Sequence, residues 1–382
     1  MQNPLLEQTG LPSFSKIKPE HVMPAVDHTL EENRRGINAL LAAHDTYTWD
    51  NLIHPLEEMG ERLDRVWSPV SHLNAVVNSE ALREVYNACL PKLSDYATEL
   101  GQNTALFEAY EQIAKGPEYS RLDTAQKKVI DNALRDFRLS GITLEPEAKT
   151  RYRTVMQRLS ALSSQFSDNL LDATNAWKRQ VNDPAQLAGL PESAIALAKQ
   201  TAEREGMEGW CVTLEFPSYL AVMTYADHRP LRKEMYTAYV TRASDQGPHA
   251  GKWDNTEVME EILSLRYEMA QLLGFAHYAE YSLATKMADS VDQVMSFLNE
   301  LAEHALSPAR RELDEVRAFA ETEDNLSDLQ AWDIPYYSEK LRQEKYSISQ
   351  EELKPYFSVD NALSGMFAVV KRLYGLDIIK GE

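Results

Sequence analysis

The stretch from Glu145 to Val181 constrains this chain most. Over about ten helical turns it carries no Pro or Gly beyond Pro146. Tyr152, Val155, Leu159, Leu162, Phe166, Asn169, Ala173 and Trp177 recur every three or four residues, so all eight fall on one stripe of a helix. At 1.5 Å per residue the pattern predicts a rod of roughly 55 Å. An apolar stripe that long must be covered. We expect it to pack within the chain, as a strut joining an N-terminal bundle to the rest, because so many neighbouring segments also read as helices; an intermolecular coiled coil is the alternative.

Those neighbours follow in order. Pro19 opens a segment with Val22, Val26, Leu30, Ile37 and Leu41 at helical spacing, and Pro is tolerated at a helix start. Trp49-Asp50-Asn51 introduces a second, with Leu52, Leu56, Met59, Leu63, Val66 and Trp67. Leu82, Val85, Cys89, Leu93, Tyr96 and Leu100 form a third stripe, and Ala125–Leu139 a further helix ending near Gly141. Beyond the strut, Trp210, Val212, Leu214 and Phe216 alternate with Cys211, Thr213 and Glu215, which predicts one strand ended by Pro217. Helices are then expected over 231–244, 254–274, 290–322, 336–343 and 362–373. The fold class is all-α, an elongated multi-helix body with one short strand or hairpin, divided into residues 1–144 and 145–382.

Thr241–Phe275 is the most fully specified segment. Asp245-Gln246-Gly247-Pro248 and Gly251 predict a tight loop. Asp254 stands at an N-cap position, with Glu257, Glu260 and Glu261 in the first turns. Val258, Ile262, Leu265, Met269 and Leu272 make one stripe, and Gly274 ends it.

From Arg242 through Trp253-Asp254-Asn255 to Leu272-Leu273-Gly274-Phe275, then His277-Tyr278-Ala279 and Ala284-Thr285-Lys286-Met287-Ala288, the chain resembles the thimet oligopeptidase family of zinc metallopeptidases. Ala331-Trp332-Asp333-Ile334-Pro335-Tyr336-Tyr337, Tyr346-Ser347-Ile348 and Leu353-Lys354-Pro355-Tyr356-Phe357 resemble the segment leading into the catalytic half of those enzymes. Asn3-Pro4-Leu5-Leu6 and Phe14–His21 extend the similarity to the N-terminus. The resemblance implies the N-terminal part of a helical channel fold and hydrolysis of short peptides. In the family a zinc ion held by two His and a Glu polarises the scissile carbonyl, and the Glu of His-Glu-x-x-His takes the proton of its water.

None of the nine histidines (21, 28, 44, 54, 72, 228, 249, 277, 304) belongs to such a motif, so no catalytic, cofactor-binding or metal-binding residue is carried over. The expectation is that residues 1–382 form a channel wall. Zinc belongs to the full-length enzyme with none in this chain, and a missing C-terminal catalytic half, expected to begin beyond Glu382, supplies the chemistry. A freestanding peptide-binding module or a helical scaffold is the alternative. Leu363, Met366, Phe367, Val370 and Leu373 form an apolar face expected to pack on that missing half.

Composition narrows the partners. With 39 basic against 59 acidic residues, net −20, the chain is poorly suited to nucleic acid or an anionic membrane, which are bound by clustered Lys and Arg. No apolar run approaches a membrane span and the first residues lack a signal-peptide pattern, so a cytoplasmic location is expected. Cys89 and Cys211 are isolated and read as reduced core thiols.

Several local patterns invite chemistry and are better explained by structure. Gly247–Lys252 has three residues between its glycines and Trp253 after the lysine, where a phosphate loop needs four and a Ser or Thr. His21 and His28 lie two helical turns apart, about 10 Å, too far to share a zinc. Ser13-x-x-Lys16 lacks the partner motifs of an acylating pair. Glu57-Glu58, Glu260-Glu261 and Glu351-Glu352 point about 100° apart on their helices and read as dipole-stabilising or solvated acids. Tyr336-Tyr337 with Trp332 is expected to pack in a core beside a helix start capped by Asp333 or Ser338, with contact to a peptide as the second reading.

Overall fold

The computed structural model describes residues 3–7, 9–347 and 350–381. Ile348 and Glu382, and the side chain of Glu351, lie outside the described residues. In chain order the α-helices are α1 Pro19–Ala43, α2 His54–Val76, α3 Glu80–Gly101, α4 Thr104–Lys115, α5 Pro117–Arg121, α6 Thr124–Leu139 and α7 Pro146–Ala176. Strand β1 Lys178–Val181 follows, then α8 Glu192–Arg204, β2 Trp210–Thr213, α9 Phe216–Tyr225 and α10 Arg229–Val240. The remaining helices are α11 Thr256–Leu272, α12 Tyr278–Leu283, α13 Val291–Asp324, α14 Ile334–Tyr346, α15 Gln350–Leu353 and α16 Val359–Tyr374. The fold is all-α with one two-stranded antiparallel sheet.

The chain divides into two compact units, Met1–Asp168 with Asn255–Met295, and Asn169–Asp254 with Ser296–Glu382. In the first unit the stripes of α1, α2 and α3 close one core around Val22, Val26, Val66, Val70 and Cys89. A second core gathers Leu52, Ile53, Leu106, Ile113, Ile130 and Phe137. The helix starts are chemically defined. Thr48 Oγ1 accepts from Asn51 N at 3.2 Å while Asn51 Oδ1 accepts from Thr48 N at 2.8 Å, so Thr48 makes the cap. Asp123 and Gln126 repeat the exchange ahead of α6.

Up to Asp168 the strut helix packs within the first unit. Tyr152, Val155 and Leu162 of α7 are buried against Val258, Leu265 and Met269 of α11, with Leu159, Phe166 and Ile262 half-buried beside them. Two arginine forks fix the register: Arg158 donates twice to Glu261 at 2.6 Å, and Arg151 Nη2 donates to Glu268 at 2.7 Å. Glu261 is therefore a pairing residue, not only a solvated acid. Helix α11 starts one residue later than expected, with Asn255 at the N-cap position and its amide donating to the Phe166 carbonyl. It ends as expected: Gly274 has φ +83, Phe275 N donates to Ala270 O, and Gly274 N to Gln271 O, a pair of bonds that satisfies the last carbonyls.

The long helix is shorter than its periodicity predicts. It stops at Ala176, so at 1.5 Å per residue it spans roughly 47 Å, and Lys178–Val181 pair instead with Trp210–Thr213, Val181 opposite Trp210. Trp177 leaves the helix and is buried in the core of the second unit with Val181, Val212, Leu214 and Met235. Helical and strand periodicity are indistinguishable over so few residues, and the partner strand lies some thirty positions on. The expected alternation along β2 also fails. Cys211 and Thr213 are as buried as Val212 and Leu214, while Phe216 is exposed. Pro217 does not merely end the strand; it occupies the first turn of α9, where a missing N–H costs nothing.

Candidate peptide-contacting surfaces

The loop joining α10 to α11 is held by geometry only glycine supplies. Gly247 has φ +79, and a Cβ there would lie 1.9 Å from Thr241 Oγ1. The charged residues around it are largely committed to structure. Tyr219 and Tyr239 stack at 3.8 Å, the Arg242 guanidinium lies 3.6 Å over Tyr239, and its Nη1 donates to Thr174 Oγ1 at 2.9 Å. His249 meets Trp253 edge-on at 5.5 Å and Lys252 sits 4.1 Å over the same indole. Helix α10, not a strand, precedes this loop, as the plain reading of its glycines requires.

The aromatic pair at 336–337 covers a buried ionic node in the second unit. Asp333 is 0 % exposed and accepts from Arg229 Nη2 and Arg232 Nη2, both at 2.8 Å, and from Gln330 N at 3.1 Å. Arg232 is 1 % exposed; its Nη1 donates to the Ala226 carbonyl at 2.7 Å and its guanidinium lies 4.0 Å over the Tyr336 ring. Tyr336 and Tyr337 donate to Asp227 and Asp324 at 2.7 and 2.8 Å. Burial opposes the charge on Asp333, but the two arginines outweigh it and hold its carboxyl below the usual range. Burial and the neighbouring carboxylates push both tyrosines up. Tyr336 and Tyr337 are core residues, as their spacing suggests. Asp333 precedes the helix, but its side chain turns to the arginines and makes no cap bond. Sequence reasoning missed Arg229 and Arg232; the available signal was a charge at 232, inside the buried run Leu231, Met235 and Ala238 of α10.

The remaining candidates resolve into local structure. His21 Nδ1 accepts from Lys18 N at 3.2 Å at the start of α1, and His28 pairs with Glu32 at 3.4 Å on its surface. Ser13 and Lys16 bracket a 3-10 turn joined by their backbone. Glu58 lies 3.7 Å from His54 in the first turn of α2.

Three helices present apolar rows to solvent. Met259, Leu263 and Tyr267 follow one another at four-residue spacing on α11, on the side away from its buried stripe. On α13, Phe297, Leu298, Leu301 and Leu306 are exposed, and only Val316 and Ala320 of that helix are buried. On α16, Leu363, Met366 and Leu373 are exposed, with Phe367 and Val370 half-buried. Contiguous apolar surface of this kind marks an interaction site.

Comparison with known proteins bears on the family. The model for peptidase family M3 matches residues 222–382, and the model for the N-terminal domain of neurolysin and thimet oligopeptidase matches residues 26–149. The chain is similar to peptidase family M3. It is 55 % identical over 376 residues to oligopeptidase A of Escherichia coli and 52 % identical over 380 residues to that of Haemophilus influenzae. It is 35 % identical over 389 residues to a probable cytosolic oligopeptidase A of Arabidopsis thaliana. These alignments take in 98 to 100 % of this chain and 54 to 56 % of each relative, so the chain spans about half the length of the proteins it matches. Its residues do not fit the family's zinc. His-Glu-x-x-His does not occur in the sequence, and among the described residues no three His, Cys, Asp or Glu side chains converge as metal ligands. No helix among the described residues is long and apolar enough to cross a membrane.

Proposed function

We propose that this chain is the N-terminal part of a zinc-dependent oligopeptidase, a helical wall that admits short peptides to a channel while the groups that cut them lie in further polypeptide. One observation carries the reading: the similarity to oligopeptidase A runs through 98 % of this chain yet only 55 % of the relative, and the metal-binding motif is absent from the part in hand. The apolar rows on α11, α13 and α16 support it, because Leu, Met and Phe at helical spacing call for a covering surface. These residues bind and select by size; no bond-breaking step is assigned to them. We place the protein in the cytoplasm, as the name of the probable cytosolic Arabidopsis relative suggests.

The test compares this 382-residue chain with its full reading frame for zinc content and for cleavage of a quenched fluorescent peptide. The chain alone is expected to hold no stoichiometric zinc and to leave the peptide intact, and the full frame to hold zinc and cleave the peptide. Stoichiometric zinc and cleavage by residues 1–382 would overturn the proposal.

A further inference from the structure

The first unit holds an open cleft of about 480 Å³ lined by residues of α2, α3, α7, α11 and α12, a volume in the range of small-molecule sites. Its walls are largely apolar. Trp67, Leu90, Leu93, Met156 and Leu159 line it and are each only half-buried, so large apolar side chains are left facing open space. The polar lining includes the neutral hydroxyls of Ser94, Ser160 and Ser163, and no Asp or Glu lines the cleft among the described residues.

Among the described residues the charge in this lining is that of Arg266 on α11. Arg266 is half-buried, and its guanidinium lies 4.9 Å over the Tyr278 ring. It makes no hydrogen bond and no ion pair among the described residues. The arginines across the same helix pair behave otherwise: Arg158 donates twice to Glu261, and Arg151 donates to Glu268. With 59 acidic residues against 39 basic in the sequence, a shortage of carboxylates does not explain the difference. A guanidinium keeps its charge at any working pH and offers five donors in a fixed fork. Partly withdrawn from water beside an apolar cleft, it is best satisfied by an anion that comes from outside the chain.

We propose that this cleft binds a small arylalkyl carboxylate. The carboxylate pairs with the Arg266 fork, and the ring and its methylenes cover the apolar walls formed by α3 and α7. Both halves of the ligand are called for. A cation with no acid beside it selects a negative head, and walls of Trp, Leu and Met select an apolar body that a bare phosphate or sulfate would lack. The assignment is independent of the peptidase reading, since no residue of the cleft belongs to the apolar rows on which that reading rests.

Titration calorimetry of the 382-residue chain with 4-phenylbutyrate tests the proposal. The ligand is expected to bind at one site. Its uncharged isostere 4-phenylbutyramide should bind at least about tenfold more weakly, and so should butyrate, which lacks the ring, again by at least about tenfold. Arg266→Gln removes the charge without unpairing any carboxylate of the chain, so it should weaken binding at least about tenfold while the melting temperature changes little. Arg266→Lys, which keeps the charge but not the fork, should fall between the two. Ala97 of α3 is exposed and lines the cleft. Ala97→Leu fills open space at little cost in helix propensity, and it should weaken binding at least about tenfold in a chain that melts normally. No heat of binding with millimolar 4-phenylbutyrate, equal affinity for the amide or for butyrate, or unchanged binding by the Arg266→Gln or the Ala97→Leu chain would each overturn the assignment.

Discussion

At the scale of single residues, the Asp333–Arg232 pair sets the clearest expectation. Both side chains are fully withdrawn from solvent, and removing one partner leaves an uncompensated charge in the interior. Asp333→Asn should destabilise the protein by about 3–5 kcal/mol, measured from urea unfolding, whereas an exposed pair such as Arg317–Asp314 should cost under about 1 kcal/mol. The pH dependence follows in sign. The folded-state carboxyl lies below its ordinary value, so its contribution is complete above the unfolded pKa of about 3.9 and is lost as pH falls through the lower folded value. Unfolding midpoints of wild type and Asp333→Asn should therefore converge below pH 4. The cysteines behave oppositely. Burial raises Cys89 to about 11, with Asp27 adding to it, and burial raises Cys211 as well, so a thiol reagent at pH 8 should modify neither in the folded chain and both of the two after denaturation. A polar residue at a stripe position was the one sequence mark of these sites. Asn33 falls three residues after Leu30 and four before Ile37, and Arg232 falls three before Met235.

At the scale of elements, helices were legible wherever a stripe ran long and illegible where it ran short. The stripes of α1, α3 and α11 are buried or half-buried along their length, as their spacing predicts. Residues 178–181 carried the same local signal as the helix before them and became a strand only because Trp210–Thr213 lay beside them. The prolines 24, 69, 91 and 308 sit inside helices, where local preference alone argues for a break and burial of the surrounding stripe overrides it. Two substitutions probe the α7–α11 contact. Leu162→Ala should cost about 2–5 kcal/mol, since Leu162 is 1 % exposed. Gly274→Ala meets no atom within 4 Å, so its cost of about 1–2 kcal/mol should come from the left-handed backbone alone. Circular dichroism melts of both variants separate the packing loss from the backbone strain.

At the scale of the whole molecule, the exposed faces of α13 and α16 say more about function than any cluster of titratable groups. Changing Leu363 and Met366 together to Glu should alter the stability of this chain by no more than about 0.5 kcal/mol, because both are exposed already. Light scattering should show less self-association. The sequence by itself determined the helical class, most of the stripes, the stop of α11 at Gly274, and the family resemblance, because each is written in near neighbours or in a long run of matched residues. Only the tertiary structure decided where the long helix ends, that Asp333 serves two arginines instead of its own helix, and that the Asn33 amide serves the Met59 carbonyl of a neighbouring helix. Those outcomes depend on groups from helices far apart in sequence meeting where water is excluded, and local spacing carries no record of that meeting.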